Sequence, residues 1–261
     1  MDLSRFSMEG RTVIITGGSG GIGRGCVRAF AQAGANVVVA SVPADTIPPA
    51  VEEAESLGVQ ALGVAVNVAE PDEIDAMVAQ TLDRFGRIDA LVNVAGGSYS
   101  RNPDMPQYSR ASLLEISGDD FVGAYIGNVM TTFLVSRAVV PHMKAVGKGA
   151  IVNIGSTSGL DRHPNAPDIA AYGTAKAAIH SLTFHMAHQW KPEVRVNCIA
   201  PGTINTPRPA GTVRPEMSSA AERIAVGRVG VGDDIGSVAL FLCSDAAGFV
   251  DGIVIPVHGG E

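Results

Sequence analysis

Tyr172-Gly-Thr-Ala-Lys176 carries residue types suited to proton chemistry. A tyrosine and a lysine four apart on a helix project from one face, one turn from each other. A phenol titrates near ~10 and carries protons poorly at neutral pH. An ammonium about 5 Å away, at an effective dielectric of about 20, favours the phenolate by about 3 kcal/mol. That is roughly two pKa units, enough to make the phenol a general acid/base. Taken alone, the pair equally fits an exposed helix surface. Its weight comes from a glycine-rich turn early in the chain and from Ser156, upstream of Tyr172.

Elements must bring these pieces together. Thr12-Val-Ile-Ile15 is β-branched and apolar, so a buried strand. It runs into Thr16-Gly-Gly-Ser-Gly-Gly-Ile-Gly23, then a helix over Arg24–Ala33 that Gly34 caps. Strand, glycine turn and helix form a pyrophosphate cradle: backbone N–H groups approach the phosphates, and the helix N-terminus adds partial positive charge. Two frames fit. Gly18, Gly20 and Gly23 match G-x-G-x-x-G; Gly17, Gly21 and Gly23 match T-G-x-x-x-G-x-G.

Further strands are expected at Asn36–Ala40, Gln60–Val66, Ile88–Val94, Ala150–Ile154, Val194–Ile199 and Gly252–Val257. Helices are expected at Pro48–Leu57, with Glu52, Glu53 and Glu55 facing water, at Glu70–Phe85, and at Asp119–Met143, where Pro141 should bend or end the helix. Others are expected at Ile169–Trp190, Glu216–Val226 and Asp233–Cys243. Alternation of strand and helix implies an α/β fold: a doubly wound, seven-stranded parallel sheet with helices on both faces. Right-handed crossovers put every strand's C-terminal end on one edge, where ligands bind. Residues 98–118, with a patch of helix expected at Ala111–Ile116, and Leu160–Asp168 read as loops beside that edge. The stretch 203–227, proline-rich at first, reads as a lid. All 261 residues read as one domain, with no repeat and no low-complexity tract.

The chain is 46% hydrophobic and 17% charged, with a formal net charge of −7 and no basic cluster. Nucleic acid and anionic membrane surfaces are therefore not expected partners. Cys26, Cys198 and Cys243 are far apart and odd in number, which suits buried thiols in a reducing compartment. No apolar run reaches bilayer length and no signal-like h-region stands in Met1–Arg11, so a soluble cytoplasmic protein is expected. His180, His185 and His188 share the Tyr172 helix, but neither a ligand-spaced carboxylate nor H-E-x-x-H accompanies them. No metal is expected; they read as surface or subunit-contact histidines.

Five motifs in order resemble the classical short-chain dehydrogenase/reductase family over nearly the whole chain: Thr16-Gly17…Gly21-Ile22-Gly23, Asn93-Val-Ala-Gly96, Asn128, Ser156 with Tyr172 and Lys176, and Pro201-Gly202. The resemblance implies a Rossmann fold and an NAD(P)-dependent oxidoreductase that interconverts a secondary alcohol and a ketone. It implies that Tyr172 exchanges the proton at the substrate oxygen and that Ser156 hydrogen-bonds that oxygen. Lys176 would lower the tyrosine pKa and hold the nicotinamide ribose, and Asn128 would keep a water linking the lysine to solvent. Gly17, Ser19, Gly21, Ile22 and Gly23 would lie along the pyrophosphate and ribose. Asn67, Val68, Asn93, Ala95 and Gly96 would lie at the adenosine half, and Pro201, Gly202, Ile204 and Thr206 at the nicotinamide. Structural readings stay open for three of these. Asn93 also fits a tie between strands, Asn128 a satisfied polar core residue, and Ser156 plain turn chemistry.

Three departures from the family stand out. Ser41-Val42-Pro43 replaces the carboxylate that grips a ribose 2′-hydroxyl, or the arginine that grips a 2′-phosphate, although Asp45 is near enough to reach back. Asn67 stands where an aspartate usually binds adenine, and the Ser156–Tyr172 spacing is long. The resemblance tips the balance to NAD over NADP, because no arginine or lysine stands at Gly20 or Val42, where NADP-preferring relatives often carry one. Gly96-Gly97…Asp104-Met-Pro106 resembles bacterial hydroxysteroid dehydrogenases, implying a steroid or other alicyclic alcohol. The alternatives are a 3-oxoacyl thioester reductase, a dehydratase or epimerase with bound nicotinamide, and a non-catalytic nicotinamide-binding regulator. The resemblance also implies a homotetramer or homodimer paired through the long helices.

Overall fold

The computed structural model describes residues 3–97, 113–160, 169–206 and 216–261. Seven strands form one parallel sheet in the order β3-β2-β1-β4-β5-β6-β7. They are β1 (Thr12–Thr16), β2 (Asn36–Ser41), β3 (Ala61–Ala65), β4 (Ala90–Asn93), β5 (Gly149–Ile154), β6 (Val194–Pro201) and β7 (Val254–Val257). Order reverses between β1 and β4, which opens a crevice at their C-terminal ends, where doubly wound sheets bind ligands.

The central strands are mostly apolar because both faces are covered, with Thr12, Asn93, Asn153 and Asn197 among their buried polar residues. Val13 and Ile15, Val37 and Val39, Val92 and Val152 pack to one side with Phe30, Ile235 and Leu242. Their neighbours Ile14, Val38, Leu91 and Ile151 pack to the other with Met77, Val139 and Met186. Helices α1 (Gly21–Gln32), α2 (Pro48–Ser56) and α8 (Gly232–Cys243) supply the first layer. Helices α3 (Pro71–Phe85), α5 (Thr131–Val146) and α6 (Ala170–Trp190) supply the second. Two short helices complete the set, α4 (Gly118–Tyr125) and α7 (Glu216–Arg223).

The expected strands are all present, with ends shifted by a few residues. Other expectations need correction. The first helix begins at Gly21 rather than Arg24, so Gly21 and Gly23 lie in its first turn. Pro141 does not end α5, which continues to Val146. Pro141 and Arg137 both lie on the exposed side, so the carbonyl that lacks an N–H partner faces water. Glu53 does not simply face water; it is half-buried and pairs with Arg24 and with Arg28, the latter at 3.4 Å. Residues 113–116 form a turn, not helix. Ser117 then starts α4, its Oγ accepting from Asp120 N at 3.0 Å. The helix expected at Glu216–Val226 stops at Arg223. The rest of the expected substrate loop, the 161–168 stretch and residues 207–215 of the expected lid lie outside the described residues.

Candidate active site

The glycine turn follows β1 directly. Gly17 and Gly21 have φ of 64° and 50°, in the left-handed region that disfavours side chains. Gly18 and Gly20 do not, so the working frame is Gly17, Gly21 and Gly23. A β-carbon on Gly17 would lie 3.1 Å from Ala95 N, and one on Gly23 only 2.1 Å from the Gly17 carbonyl. The start of α1 is therefore pressed against the turn, with its first N–H groups turned to the crevice. Thr16 fixes the far wall, its Oγ1 accepting from Val94 N and Ala95 N, both at 3.1 Å.

At the end of β2, Ser41 Oγ lies 2.8 Å from Ser19 Oγ, and Thr46 Oγ1 donates to Ser19 Oγ at 2.9 Å. This hydroxyl trio occupies the place of a carboxylate selector. The two guanidinium groups of α1 are engaged: Arg24 by Glu53 and the Pro49 carbonyl, Arg28 by Glu53 and Asp233. Asn67 braces the end of β3, its Oδ1 accepting from Ala69 N at 3.2 Å and its N–H donating to Glu73 at 2.7 Å. Val68, beside it, is buried.

Asn93 is buried in a polar ladder. Its Nδ2 donates to Ser136 Oγ and Asn153 Oδ1, both at 2.9 Å, and Asn153 passes the chain to Thr183 Oγ1 at 3.0 Å. The amide donor thus ties β4 to β5 and α5. Asn128 sits in one wide turn, Ile126–Met130, between α4 and α5. Wide turns of this kind concentrate at functional sites. Its Oδ1 accepts from Gly97 N at 3.0 Å, and its Nδ2 donates to the Gly97 and Ala124 carbonyls at 3.0 and 2.9 Å. The side chain clamps Gly96–Gly97, the segment leaving β4. Its backbone carbonyl accepts the Thr131 and Thr132 hydroxyls at 3.1 and 2.8 Å.

Ser156 leaves β5 into a tight turn, where its Oγ accepts from Ser158 N at 3.1 Å. Thr157 Oγ1 donates to the Pro201 carbonyl at 3.2 Å, joining this turn to the loop after β6. Helix α6 packs on the same turn at Gly173, where a β-carbon would meet the Ser158 carbonyl at 2.8 Å. That close approach seats the start of α6, which carries Tyr172 and Lys176, on the turn after β5.

Lys176 is 3% exposed, and its Nζ donates to the Ile154 carbonyl at 2.8 Å. The same ammonium stands 5.5 Å from the Tyr172 ring centroid. Burial lowers the lysine pKa to about 8, with Cys198 pulling weakly the other way. The amine stays largely charged at neutral pH and loses that charge just above it. The ammonium and the phenol ring of α6 thus lie together, and the same ammonium is anchored to the end of β5, two residues before Ser156.

His185 and His188 are exposed and pack on Phe184, His188 stacked at 4.9 Å. His180 differs from the expected surface position. It is half-buried one turn beyond Lys176, and its Nε2 is buried under Gly155, where a β-carbon would lie only 2.4 Å away. Burial, with Lys176 next in weight, pushes its pKa down. Its position four residues after Lys176 was the available signal, because that spacing returns a residue to the same face. No group of three or more potential metal ligands occurs among the described residues.

The loop after β6 reaches across the crevice. Ile204 bridges to Gly230, and the Thr206 methyl lies 3.0 Å from where a β-carbon on Gly21 would stand. Pro201, Gly202, Ile204 and Thr206 thus span from the sheet edge to the glycine turn. Thr46, Thr203 and Glu261, which also shape these walls, went unnoticed in sequence because no motif marks them.

Residues 17–261 match the family model described as Enoyl-(Acyl carrier protein) reductase. The 7alpha-hydroxysteroid dehydrogenase of Escherichia coli is 35% identical over 255 residues, 97% of this chain and 94% of that protein. The 3-oxoacyl-acyl-carrier-protein reductase of Thermotoga maritima is 33% identical over 254 residues, 97% of this chain and 98% of that protein. Among solved structures, a 7 alpha-hydroxysteroid dehydrogenase complexed with NADH and 7-oxo glycochenodeoxycholic acid superposes with a TM-score of 0.87 at 34% identity, covering 100% of this chain and 97% of that one. A short-chain type dehydrogenase/reductase from Mycobacterium marinum gives 0.86 at 30% identity, covering 99% and 97%.

Proposed function

This chain belongs to the short-chain dehydrogenase/reductase family, and from that premise we propose that Tyr172 is its proton carrier. It is an NAD(P)-dependent oxidoreductase interconverting a secondary alcohol and a ketone. A dinucleotide fits the crevice: the Gly17–Gly21–Gly23 turn leaves no room for side chains and presents backbone where a pyrophosphate would rest. In the bound enzyme the nicotinamide accepts or supplies the hydride, and the protein handles the proton.

Ser156, Tyr172, Lys176 and Asn128 then each have a task. Ser156 hydrogen-bonds the substrate oxygen and stabilises charge developing there. Tyr172 takes the hydroxyl proton in oxidation and returns it in reduction. Lys176, charged at neutral pH, keeps the phenolate accessible and holds the nicotinamide ribose. Asn128 fixes the Gly96–Gly97 wall. Ser19 and Ser41 face the adenosine ribose, with Asn67, Val68 and Ala95 on the adenine side, and Pro201, Gly202, Ile204 and Thr206 frame the nicotinamide. The observation that carries this reading is the buried Lys176 ammonium beside the Tyr172 ring, at the sheet edge that delivers Ser156.

We favour NAD over NADP. The hydroxyl trio at β2 can hydrogen-bond a ribose diol, while Arg24 and Arg28 are already paired with carboxylates and would have to leave them to meet a 2′-phosphate. A relative of this fold was solved with NADH. For substrate we favour a steroid or other alicyclic alcohol, supported by similarity to hydroxysteroid dehydrogenases and to the cyclohexanol dehydrogenase of Rhodococcus sp., 33% identical over 274 residues. The Thermotoga relative supports a 3-oxoacyl thioester as second choice.

We further propose one domain, a lid over 203–227, and pairing of copies through the exposed apolar residues Val122 and Tyr125 on α4, Ile126 in the wide turn after it, and Phe184 on α6. The three buried free cysteines support a reducing, cytoplasmic setting. No described helix is long and apolar enough to cross a membrane. The deciding experiment titrates NAD(H) and NADP(H), then follows reduced-nicotinamide absorbance over steroid, alicyclic, sugar and acyl-thioester substrates. Turnover of alicyclic alcohols with NAD supports the assignment; dinucleotide binding without turnover of any panel member would favour a binding protein.

A further inference from the structure

The segment after β7 folds back onto the loop after β6. His258 Nδ1 accepts from Gly260 N at 3.1 Å and Glu261 N at 2.9 Å. Gly259 and Gly260, at φ of 67° and 84°, make the reversal possible. The Glu261 carboxylate then meets Thr203 with both oxygens: Oε2 accepts from Thr203 N at 2.8 Å and Oε1 from Thr203 Oγ1 at 2.6 Å. Hydrogen bonds to an ionised acceptor are short and strong.

Gly202 makes the approach possible, because a β-carbon there would lie 2.5 Å from His258 Cβ and 2.6 Å from Glu261 Oε2. On its other side backbone bonds also hold the loop: Gly230 N donates to the Thr203 carbonyl at 3.1 Å, and Asn205 N to the Gly230 carbonyl at 2.7 Å. The same segment fastens the chain leaving α7, with Val226 N donating to the Gly259 carbonyl at 3.0 Å.

We infer that Glu261 is a positioning residue: its two-pronged hold on Thr203 sets the Pro201–Thr206 loop, and through it the affinity for the dinucleotide. The inference rests on that loop framing the nicotinamide. Glu261 touches no reacting atom; it acts through Thr203. The loop is braced at one end by this clasp and meets Gly21 at the other through Thr206. Releasing the clasp frees the wall between them, so binding suffers more than chemistry.

Glu261→Ala removes both acceptors. Glu261→Gln keeps both bonds, since its Oε1 accepts from Thr203 N while its Nε2 donates to Thr203 Oγ1, a hydroxyl being donor and acceptor alike. Thr203→Val removes the hydroxyl bond alone at nearly constant shape, which keeps the test open if Glu261→Ala folds poorly. Expected is a KM for the dinucleotide about tenfold higher in Glu261→Ala, with kcat changed less than about twofold. Glu261→Gln should return KM to within about threefold of wild type. Thr203→Val should raise it severalfold and add little on top of Glu261→Ala.

A merely structural clasp would lower the melting temperature of Glu261→Ala and leave KM alone; that result overturns the inference, as does a Glu261→Gln no better than Ala. A direct fluorescence titration of the wild type with reduced dinucleotide separates the two levels. Wild-type binding with an unaffected Glu261→Ala rejects the clasp alone, and no binding by the wild type rejects the dinucleotide reading with it.

Discussion

Lys176 couples stability to activity, and Lys176→Met exposes the coupling. Burial lowers the lysine pKa from an ordinary 10.5 to about 8. At pH 7, holding the charge inside therefore costs about 3 kcal/mol. Methionine removes that cost but leaves the Ile154 carbonyl without its donor, a loss of about 1–3 kcal/mol. The net gain is about 1 kcal/mol, a melting temperature higher by roughly 2–4 °C for a chain of this size. Between pH 8 and 10.5 the unfolded lysine keeps a proton that the folded one has shed, so wild-type stability rises with pH there. The methionine variant lacks that rise. Its advantage should be full at pH 6.5 and should shrink through pH 9. Over the same range turnover should stay low, because losing a cation that favours the phenolate by about 3 kcal/mol costs about a hundredfold in rate. Thermal unfolding of the ligand-free proteins at several pH values reads the first effect, and initial rates read the second. A variant less stable at pH 6.5, or a stability difference independent of pH, would refute the assignment of a buried charged amine.

Gly155→Ala should cut kcat more than it changes dinucleotide KM and should destabilise by about 1–3 kcal/mol, since its β-carbon meets His180 Nε2 at 2.4 Å and Cys198 Sγ at 2.9 Å next to Ser156. Adding His180→Ala should recover part of both losses; kinetics and thermal melts of the single and double variants check this. The three thiols should resist a disulfide labelling reagent at pH 8 in the native protein and react fully once denatured, because burial pushes Cys198 and Cys243 up to about 12 and Cys26 higher still. Labelling of a folded, unheated sample would contradict that burial.

The sheet was legible because its strands are short, apolar and largely β-branched runs alternating with helical periods, the pattern of a parallel sheet covered on both faces. The Tyr172–Lys176 face followed from helical spacing, and the glycine turn from its place between strand and helix. What sequence left open depends on contacts far apart in the chain. The choice between glycine frames needed the φ values at Gly17 and Gly21. Asn93 looked equally like a cofactor contact and a strand tie until Ser136 and Asn153 were found at its amide. Pro141 reads as a breaker by local rules, and only its exposed side explains why α5 runs through it. His180 and Glu261 carry no motif; each acts on a glycine, Gly155 or Gly202, that only the fold brings near.

The direct test of the whole account is Tyr172→Phe, which deletes one hydroxyl and keeps the ring beside Lys176. Reduced-dinucleotide fluorescence should give an affinity within about threefold of wild type, while turnover of any accepted alcohol falls about a thousandfold. Turnover within about tenfold of wild type would mean that the proton moves through another group, and Tyr172 would lose its place as the carrier.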